Sequence, residues 1–164
     1  MTDNTDLAGK LVELMTSQAR MVATVESCTG GMIAAAITDI AGSSAVFDRG
    51  FVTYSNEAKR DLVGVSYSTL AEHGAVSWQT AVEMADGALA RSRAEIAISV
   101  TGIAGPGGGS PDKPVGLVYM GLACRGTQTR YEKLLFGDIG RAPIRQATVK
   151  RALEALIETA ETAT

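Results

Sequence analysis

Apolar and polar positions along the chain fall into segments with two different periods. Residues 21–25 (Met21, Val22, Ala23, Thr24, Val25) form a short apolar, β-branched run, the pattern of a buried strand, and residues 32–40 form a longer Ala-rich run without Pro, the pattern of a helix. Upstream, Thr5 is placed to cap a first helix whose apolar side carries Leu7, Leu11, Leu14 and Met15. Downstream, Ala41-Gly42-Ser43-Ser44 reads as a turn and residues 46–54 as a strand, with Gly50 a bulge or close-approach point. Asn56 is expected to cap a short helix carrying Lys59. A helical piece around Leu70 to Glu72 stops at Gly74, and Ser77 caps a longer helix presenting Ala81, Val82, Ala85, Ala88 and Leu89.

Residues 95–100 alternate charged or polar with apolar side chains as a further strand, followed by a Gly/Pro-rich loop over 101–114. Two strand runs, 116–124 and 127–136, flank Arg125-Gly126 with hairpin spacing. Residues 144–160 close as a helix with Val149, Ala152, Leu153, Leu156 and Ile157 on its apolar side. Strands alternating with helices, plus one terminal hairpin, predict an α/β fold: a three-layer α/β/α sandwich on a mixed, mostly parallel sheet.

The chain has 164 residues, of which 46% are hydrophobic, which suits a single domain over residues 1–164. A net charge of −3, with no basic block and no aromatic-interleaved Lys/Arg stripe, speaks against a nucleic-acid ligand. Cys28 and Cys124 lack paired spacing and His73 is the single histidine, so neither a disulfide framework nor a zinc site is expected. The start of the chain is polar and acidic (Thr2, Asp3, Asn4, Thr5, Asp6), and no apolar run reaches the length of a membrane span. The expectation is a cytoplasmic protein without membrane attachment.

In an open α/β sheet, ligands gather beyond the carboxyl ends of the parallel strands. That rule selects the loops after Val25, Tyr54 and Val100, which carry Ser27 with Gly30 and Gly31, then Asn56 with Lys59, then Thr101 with Gly102 and Gly105. Two glycines at a helix start expose backbone N–H groups suited to an oxyanion, with Ser27 beside them. The same residues also make an ordinary helix start with Thr29 as N-cap.

Ser27 needs a base, and His73 follows a helix-like stretch outside the selected loops, so Lys59 is the better partner. Lowering a lysine from about 10.4 to roughly 7–8 destabilises the ammonium by about 3–5 kcal/mol, feasible in a dry pocket. Otherwise Lys59 is a solvated helix-face charge alongside Glu57, Arg60 and Asp61. Cys28, with Glu26 as base and Lys59 for the oxyanion, is a rival thiol nucleophile or else an inert buried thiol. The Gly102–Ser110 loop lacks the lysine of a Walker motif, and Pro111 and Pro114 obstruct a following helix. It remains suited to cradle a ribose or phosphate. Arg141 and Arg145 open the last helix, solvated there or reaching a phosphate.

These motifs together resemble the CinA C-terminal domain family, the competence/damage-inducible proteins with nicotinamide mononucleotide amidohydrolase activity. The resemblance runs over almost the whole chain, through Ala23–Gly31, Gly50–Lys59, His73–Ser77, Thr101–Pro106 and Lys113–Gly116. It implies an anticodon-binding-domain-like fold and an amidase acting in pyridine nucleotide recycling. Family members looking like this stand alone or carry a further N-terminal domain, for which these 164 residues are expected to have no room.

Carried over, the resemblance makes Ser27 the nucleophile, Lys59 its base and Tyr54 a supporting hydroxyl in the proton path. Gly30 and Gly31 become oxyanion donors, and Asn56, Thr101, Gly102 and Gly105 surround the nucleotide. Arg145 matches the family's late arginine. The family pattern Gly-Asp-Arg is here Gly137-Asp138-Ile139-Gly140-Arg141, which leaves Arg141 and Arg145 both open as the phosphate ligand. The reaction implied is acyl transfer through a serine ester, without metal or organic cofactor, in a homodimer or higher homo-oligomer. The alternatives are a non-catalytic nucleotide-binding regulatory module and a Cys28-dependent thiol amidase.

Overall fold

The computed structural model describes residues 3–162; residues 1, 2, 163 and 164 of the expected 1–164 domain lie outside them. Along the chain run α1 (Asn4–Ser17), β1 (Val22–Glu26), α2 (Met32–Thr38), β2 (Phe47–Val52), α3 (Asn56–Val63), α4 (Tyr67–His73) and α5 (Trp78–Ala90). They are followed by β3 (Ile96–Gly102), β4 (Leu117–Cys124), β5 (Arg130–Leu135) and α6 (Arg141–Thr162). The strands make one five-stranded sheet in the order β2-β1-β3-β4-β5. β1 is parallel to β2 and β3, whereas β4 is antiparallel to β3 and β5, so the sheet is mixed, with helices on both faces. Among the described residues, no helix is long and apolar enough to cross a membrane.

The two faces of the sheet are packed differently. On one, α1, α2 and α6 bury bulky side chains, among them Leu11, Met15, Ile33, Ile37, Leu153 and Leu156, against Ile96, Ile98 and Val100 of β3. Truncating one of these to Ala is expected to cost about 2–5 kcal/mol. On the other, small side chains of the sheet, Ala23, Ala97 and Ala123, meet Met84, Ala85 and Ala88 of α5. The α5 backbone comes so close that a Cβ on Gly121 would stand 2.4 Å from the Ala81 carbonyl oxygen. Ser99 bridges this contact: its hydroxyl donates to the Ala81 carbonyl at 2.6 Å and accepts from the Gly121 N–H at 3.0 Å. β3 is therefore buried on both faces up to Thr101, and the polar half of its alternation marks a closely packed helix rather than solvent.

Several caps differ from expectation. Asp3, not Thr5, caps α1, because its carboxylate reaches the Asp6 N–H at 2.8 Å. Ser55, not Asn56, caps α3 through the Ala58 N–H at 3.0 Å. Thr29 does not cap α2; that position falls to Gly31, whose φ of +108° favours glycine. Gly50 is a close-approach point as expected, since a Cβ there would meet the Thr24 hydroxyl at 2.8 Å. The β4–β5 connection is longer than Arg125-Gly126, because pairing resumes at Leu122↔Arg130.

Candidate active site

The carboxyl ends of β1, β2 and β3 lie side by side, and backbone hydrogen bonds carry their alignment beyond the strands. The Ser27 N–H donates to the Val100 carbonyl at 3.0 Å, and the Thr53 N–H donates to the Glu26 carbonyl at 2.9 Å. Ser27 is thereby held between its two neighbouring strands at the first residue past β1. From the end of β2 a short turn leads into α3, whose buried residues are Lys59 and Val63, four apart on one face. Lys59 occupies a place on that stripe where an apolar residue is the norm, and it is 1% exposed.

Its Nζ lies 3.0 Å from Ser27 Oγ, 2.8 Å from the Thr53 carbonyl oxygen and 3.3 Å from the Tyr54 carbonyl oxygen. Ser27 itself is 8% exposed. Burial pushes the Lys59 amine below the ordinary lysine value. Three partners match an amine in either protonation state. As an ammonium, Nζ donates to all three; as a neutral amine, it keeps two N–H bonds to the carbonyls and turns its lone pair to the Ser27 hydroxyl. Loss of the proton thus requires no rearrangement of the lysine.

Cys28, the neighbouring thiol, is in a different state. It packs into the core on the α2 side. Burial, opposed in part by its own N–H and reinforced by Glu26, pushes its thiol up to about 11. At neutral pH it is a protonated, poorly nucleophilic thiol. Glu26, the base of the thiol reading, is spent elsewhere: its carboxylate accepts from the Thr29 hydroxyl at 2.5 Å and from the Ile33 and Ala34 N–H groups at 2.8 and 3.1 Å.

A cavity of about 260 Å³ opens over Ser27, Cys28, Tyr54 and Lys59, with Thr101, Gly102 and Gly105 on its far wall and Arg141 at its side. A larger open groove of about 760 Å³ adjoins it across Gly107 and Gly108, but neither Ser27 nor Lys59 lines it. Gly102 and Gly105 are required by contact: a Cβ on either would stand 2.6 Å from a methyl of Val118 or Val115. The buried Thr101 hydroxyl donates to the Ala75 carbonyl at 2.8 Å, tying β3 to the Ala75-Val76 segment that forms another wall.

Of the remaining sequence candidates, Tyr54 and Arg141 line the cavity, and Gly30, Gly31, Asn56 and Arg145 do not. The Gly30 N–H donates to the Ser27 carbonyl at 3.1 Å, the Met32 N–H to the Thr29 carbonyl at 3.1 Å, and the Ile33 and Ala34 N–H groups to Glu26. Neither Gly30 nor Gly31 lines the cavity, and Asn56 lies exposed outside it. Tyr54 is 60% exposed and its hydroxyl accepts from Arg141 Nη2 at 3.1 Å, so its backbone carbonyl, not its phenol, contacts Lys59. The two arginines separate cleanly. Arg141 donates to the Gly105 carbonyl at 2.7 Å and borders the cavity, whereas Arg145 donates to the Cys28 and Thr29 carbonyls at 3.1 and 3.2 Å and braces the nucleophile turn.

Two contributions escaped sequence reasoning. Ala75 and Val76 act as wall, and the only signal was their place within the His73–Ser77 motif. Lys113 donates to the His73 carbonyl at 2.6 Å and ties the glycine-rich loop to the end of α4. His73 shows its role there through its backbone, and its side chain does not line the cavity.

Comparison with known proteins matches residues 4–160 to the CinA C-terminal domain family. The nicotinamide-nucleotide amidohydrolase PncC of Shigella flexneri is 49% identical over 159 residues, covering 95% of this chain and 95% of that protein. A protein of Caldicellulosiruptor bescii named for competence and damage induction is 53% identical over 146 residues, covering 89% of this chain. The chain spans only 35% of that longer relative. Among solved structures, the competence/damage inducible protein CihA of Agrobacterium tumefaciens superposes with a TM-score of 0.94 at 57% identity, covering 96% of each chain.

Proposed function

This chain belongs to the CinA C-terminal domain family, and from that premise we propose that it is a nicotinamide-nucleotide amidohydrolase, a single amidase domain converting nicotinamide mononucleotide to nicotinic acid mononucleotide and ammonia. The observation that carries the reading is the buried Lys59 amine 3.0 Å from Ser27 Oγ, at the floor of a cavity bordered by Arg141.

In this reaction neutral Lys59 takes the Ser27 proton while Oγ attacks the carboxamide carbon of the substrate. The resulting ammonium stands beside the tetrahedral oxyanion, where the burial of its amine strengthens its charge. Lys59 then returns the proton to the departing nitrogen. Ammonia leaves, and a nicotinoyl ester remains on Ser27. Water, deprotonated by Lys59, cleaves the ester to the acid and restores the serine. Arg141 faces the nucleotide phosphate, with Thr101, Gly102 and Gly105 shaping the opposite wall. Arg145 acts on the turn instead.

The reading also includes a cytoplasmic location and a homo-oligomeric state, the latter checked by sedimentation of the purified protein. Its direct test is incubation with nicotinamide mononucleotide without added metal, following ammonia and the one-mass-unit gain of the acid. Stoichiometric formation of both is expected. Saturable nucleotide binding without either product would replace the amidase with a regulatory module.

A further inference from the structure

We propose that Glu26 is a positioning residue of the amidase reaction, its carboxylate closing the β1–α2 turn into a ring that holds Ser27 against Lys59; the inference rests on the amidase reading above.

Glu26 is the last residue of β1 and is 1% exposed. A carboxylate taken out of water is costly unless fully hydrogen-bonded. Among the described residues, no Lys, Arg or His stands within ion-pair distance of Glu26; its partners are the Thr29 hydroxyl at 2.5 Å and the Ile33 and Ala34 N–H groups at 2.8 and 3.1 Å. Oε1 serves Thr29 and Ile33 while Oε2 serves Ala34, so both oxygens act as acceptors.

This arrangement replaces an ordinary cap. Gly31, the N-cap of α2, has no side chain to offer the helix, and the acceptor comes instead from five residues upstream, across the nucleophile turn. One carboxylate therefore links the strand before Ser27, the turn after it and the helix beyond. Arg145 braces the same turn from the other side through the Cys28 and Thr29 carbonyls. Ser27 Oγ sits at its distance from Lys59 because the turn between these two braces has one conformation.

A glutamine cannot reproduce the ring. Its amide nitrogen would face either the Ala34 N–H or the two donors at Oε1, placing donor against donor. The turn would relax, and Ser27 would leave the attack geometry without any change in the walls that bind the nucleotide. The effect belongs in kcat and in the intrinsic reactivity of Ser27, with KM little changed.

The experiment pairs turnover of nicotinamide mononucleotide with the rate at which a fluorophosphonate labels Ser27, a readout independent of the amide substrate. Glu26→Gln is expected to lower kcat at least 30-fold and labelling at least 10-fold, with KM within threefold. Thr29→Val, which removes one strand of the ring and spares the buried charge, is expected to show a smaller loss of the same kind, and Thr29→Ser to restore both rates. If Glu26→Gln does not fold, the Thr29 pair decides. Native kcat and labelling in a folded Glu26→Gln, or a loss confined to KM, would overturn the proposal. A wild-type protein labelled at Ser27 but inactive on the nucleotide would refute the amidase reading while the labelling comparison still judges Glu26; a wild type unlabelled at Ser27 would overturn both.

Discussion

Two cations at opposite ends of the sheet have opposite company. Lys59, at the carboxyl edge of the parallel strands, is buried among neutral acceptors: two backbone carbonyls and a serine hydroxyl. Arg151, on α6 beside the β5 edge, is surrounded by the carboxylates of Glu132, Glu154 and Glu158 at 3.0, 3.5 and 3.0 Å. Burial, with no carboxylate in ion-pair distance among the described residues, pulls the lysine below its ordinary value. Hydrogen bonds donated to the Glu158 and Glu132 carboxylates push the arginine, already a permanent cation, further up. On the proposed reading charge burial serves chemistry in one place and architecture in the other, and the identity of the partners decides which.

The largest expected effects strike the lysine end. Ser27→Ala should lower kcat by about 10⁴-fold or more, and Lys59→Met by about 10³-fold, both in folded protein. Arg151→Met should leave kcat unchanged, and comparable losses at the two cations would dissolve the contrast. Next comes Arg141→Met, expected to raise KM about tenfold or more through the lost charge-assisted contact to phosphate, while kcat moves less.

The pH profile sharpens the same comparison. In the proposed mechanism Lys59 acts as a neutral base, so kcat/KM should rise with pH through the amine's folded-state value and level off above it. Because burial lowers that value, the limb must be centred below the ordinary lysine figure of about 10.4. A profile already flat across neutral and mildly acidic pH, or one falling as pH rises, would remove Lys59 as base.

The smallest effect lies at the arginine end. Its carboxylates are 35–61% exposed, so solvent screening holds the loss of stability in Arg151→Met to about 1 kcal/mol, read from denaturant melts. Arg151 also holds the Glu158 carboxyl below its usual value of 4.5. That contribution is present above 4.5 and fades as pH falls through the lowered folded value, so the gap between wild type and Arg151→Met should narrow in acid.

Periodicity and breakers made the order of strands and helices legible, because each element hides one face and the turns between them need Gly, Asn or Ser. The rule that ligands collect past parallel strand ends brought Ser27, Lys59, Thr101 and Gly105 to one place before any coordinate. What stayed hidden was the use of individual polar atoms. Lys59 could be read as a solvated charge because Glu57, Arg60 and Asp61 surround it in sequence; the useful signal was its spacing of four from Val63. Gly30 and Gly31 suggested open N–H groups, but neither lines the cavity, and the Thr29 hydroxyl and the Ile33 and Ala34 N–H groups beside them turn to Glu26 at the end of the preceding strand, a contact no local pattern encodes. The two arginines were indistinguishable by spacing, since four residues on one helix turn only slightly past a full circle, yet one meets the cavity and the other the turn behind it.

The most direct test of the account is to quench the reaction with nicotinamide mononucleotide in acid and weigh the peptide containing residues 21–49. The account predicts the mass of a nicotinoyl nucleotide ester on Ser27, retained in Cys28→Ala and absent from Ser27→Ala. An adduct on Cys28, or turnover in Ser27→Ala, would contradict it.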